Sequence, residues 1–278
     1  VKSVSELRSI ISERGSSLVI KPVDSRGARG VIRVTESLDL EWAFEHAKSI
    51  SPTSRVMVEE FLEGQQYSTE SIIMDEKNVT VGFAERNYEF LEELSPYIIE
   101  NGGQQPAKID KKELDSIVKL VEKSSQILGI SNAISKGDVV MTKDGPKIIE
   151  IAPRLSGGYF SSDQIPLATG INIIEIAIRL SLGEKINKDK LFFRDQNAVA
   201  IRYFFPKPGK ITSISNIDLF KNKSWVHKLD LFFGVGDVLG KIIDHTKRCG
   251  FVITTGNTRD EAIQRAKMVV KNVQILTI

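Results

Sequence analysis

The spacing of apolar residues changes several times along the chain, and each change predicts an element. Val4, Leu7 and Ile10/Ile11 recur at helical spacing, which predicts a helix over about 4–13. Leu18–Val23 is apolar except for Lys21 and reads as a buried strand. A loop, Asp24–Gly30, separates it from a strand at Val31–Val34. Leu40, Phe44, Ala47 and Ile50 mark a helix from about 38 to 50. Arg55–Glu60 and Gln66–Met74 read as strands on either side of a Gly64 turn, and Asn78–Glu85 as a third. Residues 86–109 show no period and contain Gly102-Gly103 and Pro106; a loop of that length within a domain is usually functional or mobile. Asp110, with Glu113 three residues on, predicts a capped helix whose apolar face is Leu114, Ile117, Val118, Val121 and Leu128. Val139–Met141 and Ile148–Ile151 flank Lys143-Asp144-Gly145-Pro146, a strong hairpin signal. Helices follow near 162–168 and 172–182, the second capped by Asn172 and ended by Gly183.

From about 195 the texture changes to short strands: Ala198–Phe205, Lys210–Ile214, Trp225–Leu231, Val238–Asp244 and Cys249–Thr255. A last helix opens on the capping box Thr258-Arg259-Asp260-Glu261. The pattern predicts an α+β chain with a boundary near 184–196, in the polar segment from Glu184 to Lys190. That divides it into residues 1–190 and a smaller, β-rich unit over 191–278.

Composition narrows the function classes. The 278 residues allow a sizeable core, and 38 basic against 36 acidic residues leave a net charge of +2. A nucleic-acid binder would show a clear basic excess, so none is expected. No apolar run approaches the roughly 20 residues of a membrane span. Cys249 is the single cysteine, which excludes an intrachain disulfide and fits a reducing, cytoplasmic compartment; no signal peptide is evident. Three scattered histidines argue against a histidine-rich zinc site. The first residue, Val1 rather than Met, suggests a fragment or a processed chain.

Candidate chemistry concentrates in three stretches. With the hairpin turn centred on Asp144, Asp138 and Glu150 fall opposite each other on one face, and Ala152 and Arg154 share the parity of Glu150. Paired carboxylates repel unless a cation or a shared proton intervenes, and such oxygens suit magnesium bound with substrate phosphates. The alternative is a solvated face with ordinary charges. Around Lys21 to Val31, Gly27 and Gly30 permit close backbone approach to an anion, Ser25 adds a hydroxyl donor, and Lys21 needs an anionic partner if buried. The alternative there is a glycine-rich hairpin with a snorkelling lysine. Glu59-Glu60-Phe61-Leu62 ends a strand in acids and then turns apolar, which offers adenine an apolar slot, an acceptor at Glu59 or Glu60 and the backbone of Phe61 and Leu62. An acidic strand end on the surface is the other reading.

The order of these stretches resembles the ATP-grasp superfamily: a lysine strand with a glycine-rich loop, then Glu-Glu-Phe-Leu-x-Gly, then Asp138 and Glu-Ile-x-Pro-Arg. The resemblance covers about residues 1–185. It implies two α+β subdomains clasping ATP and an ATP-dependent ligase that activates a carboxylate as an acyl phosphate for attack by an amine or similar nucleophile. Lys21 and the loop from Ser25 to Gly30 would contact the phosphates, and Glu59, Glu60, Phe61 and Leu62 would hold adenine. Gln66, in place of the family's usual acid, would face the ribose. Asp138 and Glu150 would hold magnesium, or manganese in its place, and Arg154 the acyl phosphate. The partners implied are small-molecule carboxylates and amines, with a homodimer allowed. Many members carry Asn as a further metal ligand where this chain has Ala152, which leaves a second ion weakly held or completed by water. Residues 195–278, through Phe205-Pro206-Lys207-Pro208-Gly209, Gly236-Asp237-Val238 and Gly250-Phe251-Val252-Ile253, resemble the C-terminal domain of the biotin carboxylase-like and L-amino acid ligase-like branch. Members also have an N-terminal α/β domain, so part of a parent protein is expected to be missing. Activation of bicarbonate, as in carbamoyl phosphate synthase or biotin carboxylase, and a non-catalytic nucleotide-binding module stay open. The segment 86–109, with Arg86, Glu100 and Lys108, is the expected selector of substrate.

Overall fold

On one long strand, apolar and polar positions share a face and divide it between site and core. In β4 (Gln65–Met74), Ser68 and Glu70 point to the same side as Ile72 and Met74, while Tyr67 points to the other. A computed structural model describes residues 1–74, 77–187, 191 and 197–278. Among them, β4 lies inside an eight-stranded sheet in the order β11-β13-β9-β6-β5-β4-β7-β8. The strands are β5 (Lys77–Asn87), β6 (Gly102–Gln105), β7 (Ala133–Thr142), β8 (Gly145–Ala152), β9 (Ala198–Tyr203), β11 (Val226–Leu231) and β13 (Gly250–Gly256). Every neighbouring pair in it is antiparallel.

Helix α3 (Lys111–Ile127) covers the Tyr67 face, where Ile117 and Val121 meet Val139. Its cap is the expected one: the Glu113 N–H donates to Asp110 Oδ1 at 2.8 Å. On the opposite face a π-helical turn (Phe160–Gln164) runs into α4 (Ile165–Thr169) and α5 (Ile173–Ser181), whose Ile165 and Ile173 pack on Ile72 and Val81. Gly82 lets α4 sit against the sheet, since a Cβ there would come within 2.4 Å of Ile165.

A smaller layer precedes the sheet. Helices α1 (Val4–Arg14) and α2 (Leu40–Ile50) pack Leu7 and Phe44 on a sheet of β2 (Ile32–Arg33), β1 (Leu18–Pro22) and β3 (Val56–Glu60). At the C-terminal end, α6 (Arg259–Asn272) lays Ala262, Ala266 and Val269 across Ala200 and Val252. A third sheet joins β12 (Val238–Leu239), β10 (Gly209–Ser215) and β14 (Gln274–Thr277). No described helix is long and apolar enough to cross a membrane.

The architecture is the α+β arrangement read from the pattern, with local differences. Strand β6 lies in the segment expected to be a loop, and β14 follows the helix expected to be last. The strand expected over Val238–Asp244 is paired only at Val238–Leu239. Much of the boundary expected at 184–196 lies outside the described residues.

Candidate functional site

The β7–β8 hairpin sets the geometry of the site through an irregularity. Its turn is Lys143-Asp144, with Thr142 paired to Gly145, and the register stays regular to Val139 opposite Ile148. Continued unchanged, it would put Ile149 opposite Asp138. A β-bulge shifts the ladder by one residue, so that Asp138 faces Glu150 and Lys136 faces Ala152. Bulges re-aim side chains in this way beside functional sites. Ser68 and Glu70 of β4 continue the same rows, opposite Asp138 and Lys136.

The result is a patch of closely paired charges. Lys136 Nζ lies 2.5 Å from Asp138 Oδ2 and 3.2 Å from Glu150 Oε1. Arg86 Nη1 is 3.3 Å from the same Asp138 oxygen, and Ser68 Oγ donates to Asp138 Oδ1 at 2.9 Å. Arg154 Nη2 is 3.3 Å from Glu150 Oε1. Burial alone would raise the Asp138 carboxyl, but Lys136, Arg86 and Ser68 outweigh it and hold the group below its usual range. Arg86 also pairs with Glu100. Burial lowers Arg86, but the charges of Glu100, Tyr88 and Asp138 and the hydrogen bond to Glu100 together more than reverse this. Glu70, fully buried, is raised by burial; hydrogen bonds from Ser161 and Ser156 only partly offset this.

Arg86, Glu100, Lys136, Asp138, Glu150 and Arg154 line a cleft of about 1110 Å³ that also takes in Lys21, Gly27, Glu59, Glu60, Phe61, Leu62 and Gln66. Lys21 forms an ion pair with Glu59. Lys147 reaches Glu60 at 3.5 Å, and the Arg33 guanidinium stands 4.3 Å from the centre of the Phe61 ring. Of the loop expected at the phosphates, Ser25, Arg29 and Gly30 do not line the cleft. Ser25 has a buried hydroxyl without a hydrogen-bond partner, and Gly30, at φ +73°, sits so close to Pro22 that a Cβ would come within 2.8 Å of it. The loop is tied at its base by Asp24, which accepts from Ser51 and Thr53. At its tip, the His245 N–H donates to the Gly27 carbonyl at 2.9 Å.

That contact comes from the C-terminal part of the chain, which pattern reading left out of the site. Tyr203, Phe232, His245, Thr246 and Arg248 all line the cleft. Arg248 stacks its guanidinium 3.8 Å from the Tyr203 ring centre and lies 3.8 Å from Glu100. His245 Nε2 accepts from the Glu100 N–H at 3.3 Å. Burial, and then the positive charges of Arg248, Arg86 and Lys136, hold His245 well below its ordinary value, so it is neutral. Of the expected selector residues, Arg86 and Glu100 line the cleft and Lys108 does not. Lys136 is the main omission of the sequence reading. It shares the parity of Asp138 but lies two residues upstream of the motif that begins there.

The donor set is a poor fit to a resident divalent ion. Magnesium keeps several waters and takes one or two carboxylates together with substrate phosphates, so the fit turns on whether these two carboxylates are free to ligate. Here both carboxylates are already ion-paired, with Lys136 bridging them, and Ala152 adds no oxygen to the row. Among the described residues, no group of three or more acidic, histidine or cysteine side chains is placed to hold a metal.

Comparison with known proteins agrees with this architecture. An ATP-grasp domain model matches residues 5–158, and the model of L-amino acid ligase C-terminal domain 2 matches residues 202–277. The uncharacterized protein y4rH of Sinorhizobium fredii (strain NBRC 101917 / NGR234) is 26% identical over 273 residues, covering 95% of this chain and 54% of that protein. The phosphoribosylamine–glycine ligase of Methanococcus maripaludis (strain C5 / ATCC BAA-1333) is 24% identical over 278 residues, covering 93% of this chain and 61% of the relative. The chain therefore spans only a little over half the length of these two relatives. The crystal structure of L-amino acid ligase from Bacillus licheniformis superposes with a TM-score of 0.77 at 19% identity, covering all of this chain and 72% of that one, which is a likeness of fold. With the ATP-grasp model matched over more than half of its 278 residues, the chain belongs to the ATP-grasp superfamily.

Proposed function

We propose that this chain carries the nucleotide-binding and phosphoryl-transfer part of an ATP-dependent ligase. The observation that supports this best is the single cleft that joins the Glu59–Leu62 slot to Lys21, Lys136 and Arg154. Adenine enters the slot, with Glu59 or Glu60 accepting from its amino group and the backbone of Phe61 and Leu62 facing its ring nitrogens. Gln66 faces the ribose hydroxyls. Lys21 and the loop around Gly27 meet the phosphates; for Lys21 this means exchanging Glu59 for phosphate. Residues 1–190 do this work, and residues 191–278 close over it through His245 and Arg248.

In the reaction, an oxygen of the substrate carboxylate attacks the γ-phosphorus and the bond to the β–γ bridging oxygen breaks, releasing ADP. The lone pair of the amine then attacks the acyl carbon, phosphate leaves with the electrons of the C–O bond, and the amine proton passes to solvent or phosphate. Arg154, beside Glu150 and the open backbone at Gly157, grips the transferring group through its two-pronged guanidinium. The relatives named as phosphoribosylamine–glycine ligase and L-amino acid ligase favour amine and amino-acid substrates. No step is assigned to a metal at Asp138 and Glu150, because Lys136 stands between them.

Release of ADP from ATP, assayed over amino acids, other small carboxylic acids, amines and bicarbonate, tests the reading. Release that requires both a carboxylate and an amine supports it; release with bicarbonate alone moves the chain to bicarbonate activation. A second reading, a nucleotide-binding module without turnover, is favoured by the full internal pairing of Asp138 and Glu150. ATP binding without acceptor-dependent ADP release would establish it.

A further inference from the structure

Three cations meet at the Asp138–Glu150 pair and outnumber its two carboxylates. Lys136 touches both acids, Arg86 touches Asp138, and Arg154 touches Glu150. The Lys136 side chain is only 12% exposed, so its ammonium is held in place rather than swinging in solvent. Its place in the ladder is directly across from Ala152, where the row would otherwise offer another side-chain donor. A divalent ion brought to this pair would have to expel the ammonium from two ion pairs or approach it at close range, and like charges repel strongly where water is scarce. With only two carboxylates to gain, each of which already has a cation, the ion has little to offset that repulsion.

We propose that Lys136 is the resident cation of the Asp138–Glu150 pair. It takes the position between the two carboxylates that a divalent ion would need, and it turns the pair into a metal-independent holder of one positive charge at the cleft wall. Resting on the nucleotide reading above, the same ammonium is the group that meets the phosphate end of a bound nucleotide. Nucleotide binding then depends on Lys136 more than on a metal held by the protein.

Titration of the whole chain with Mn²⁺ alone, followed by calorimetry, tests the first part. The wild-type chain should bind Mn²⁺ no tighter than about millimolar, the weak end of carboxylate sites. Lys136→Met should tighten Mn²⁺ binding at least about tenfold, because the carboxylates lose their internal cation. Arg86 stays 3.3 Å from Asp138 in that variant, so the buried acid keeps a partner and the fold is retained. Lys136→Arg, which restores the charge, should behave like the wild type. Two results overturn the proposal: stoichiometric Mn²⁺ binding by the wild type that Glu150→Gln abolishes, or Mn²⁺ affinity unaltered by Lys136→Met. The Glu150→Gln comparison stands even if the lysine variant fails to fold, since Glu150 is about half exposed. ADP titrations with excess chelator and with magnesium separate this from the ligase reading. ADP affinity within about threefold in the two conditions supports a metal-independent cation, and tight Mn²⁺ binding with metal-dependent ADP affinity overturns it while leaving the ligase reading intact. Absence of ADP binding in both conditions overturns the nucleotide reading and the phosphate role of Lys136 with it, and the Mn²⁺ comparison still decides the first part.

Discussion

At one end of the cleft, Lys21, Glu59, Glu60 and Lys147 are partly open to solvent; at the other, Arg86, Glu100, Lys136, Asp138 and Arg248 are enclosed. Side-chain exposures run from 18 to 67% in the first group and from 6 to 15% in the second. The chemistry is the same, carboxylate against ammonium or guanidinium, but the consequences differ. Exposed pairs are screened and can exchange partners, which suits a place where a ligand must displace one of them. Enclosed pairs have given up their water and depend on each other, so they fix geometry. The slot end can therefore change occupants, and the sheet end holds its charges still.

The comparison breaks first, and most visibly, at Arg86. Arg86→Met removes the guanidinium shared by Glu100 and Asp138 and leaves Glu100 with Arg248 at 3.8 Å as its remaining cation. Losing one partner of an enclosed pair should lower folding stability by about 3–5 kcal/mol in urea denaturation. A loss below about 1 kcal/mol would place this end in the same class as the surface pairs.

At the slot end, Lys21→Ala should separate binding from folding. The variant should lose roughly 2–5 kcal/mol of nucleotide affinity in calorimetry, because a buried phosphate charge is left unpaired. Its folding stability should fall by about 1 kcal/mol or less, since Glu59 is left with access to water. Equal losses in both measurements would make Lys21 a structural member of its strand pair.

Arg154→Lys is expected to come next. The arginine is half exposed and touches Glu150 and the Leu155 carbonyl. Lysine keeps the charge but not the two parallel donors. Nucleotide affinity should stay within a few-fold while acceptor-dependent turnover falls about a hundredfold, the scale of a lost transition-state donor. Turnover that survives the substitution would show that this arginine does not grip the transferring group.

The same contrast explains what the sequence disclosed. The slot end is written largely in contiguous stretches, Lys21 to Gly30 and Glu59 to Leu62, so local pattern points to it, although Ser25 and Gly30 do not line the cleft and Lys147 lies in neither stretch. The caps at Asp110, Asn172 and Thr258 were legible for the same reason. The enclosed end is assembled from β5, the segment just before β6, β7 and the turn before β13, and no window of the chain contains it. Strand β6 was invisible because Gly-Gly-Gln-Gln has neither apolar alternation nor β-branched residues, although all four are buried. Its glycines answer to close approach instead: at Gly102, with φ +150°, a Cβ would lie 2.1 Å from the Ile201 carbonyl oxygen. The pairing of Asp138 with Glu150 was anticipated from a turn centred on Asp144, yet the turn is one half-step off and the bulge after Asp138 restores the match. Lys136 lies two residues before the Asp138–Arg154 stretch, and only the partner strand shows what it bridges.

The smallest effect should come from Lys147→Ala. Lys147 and Glu60 are 3.5 Å apart with exposures of 39 and 67%, on strands from different sheets. The pair gains little Coulomb energy at high dielectric, gives up side-chain freedom on both partners and is screened at physiological salt. The substitution should cost about 0–1 kcal/mol. A double-mutant cycle with Glu60→Ala should return a coupling in the same range that fades as salt is added. Running the same cycle on Lys136 and Asp138 makes the comparison quantitative, because those partners are 2.5 Å apart and nearly dry. Their coupling should exceed that of Lys147 and Glu60 and should resist salt. Equal couplings would mean that enclosure adds nothing, and the distinction between a displaceable end and a fixed end of the cleft would fail.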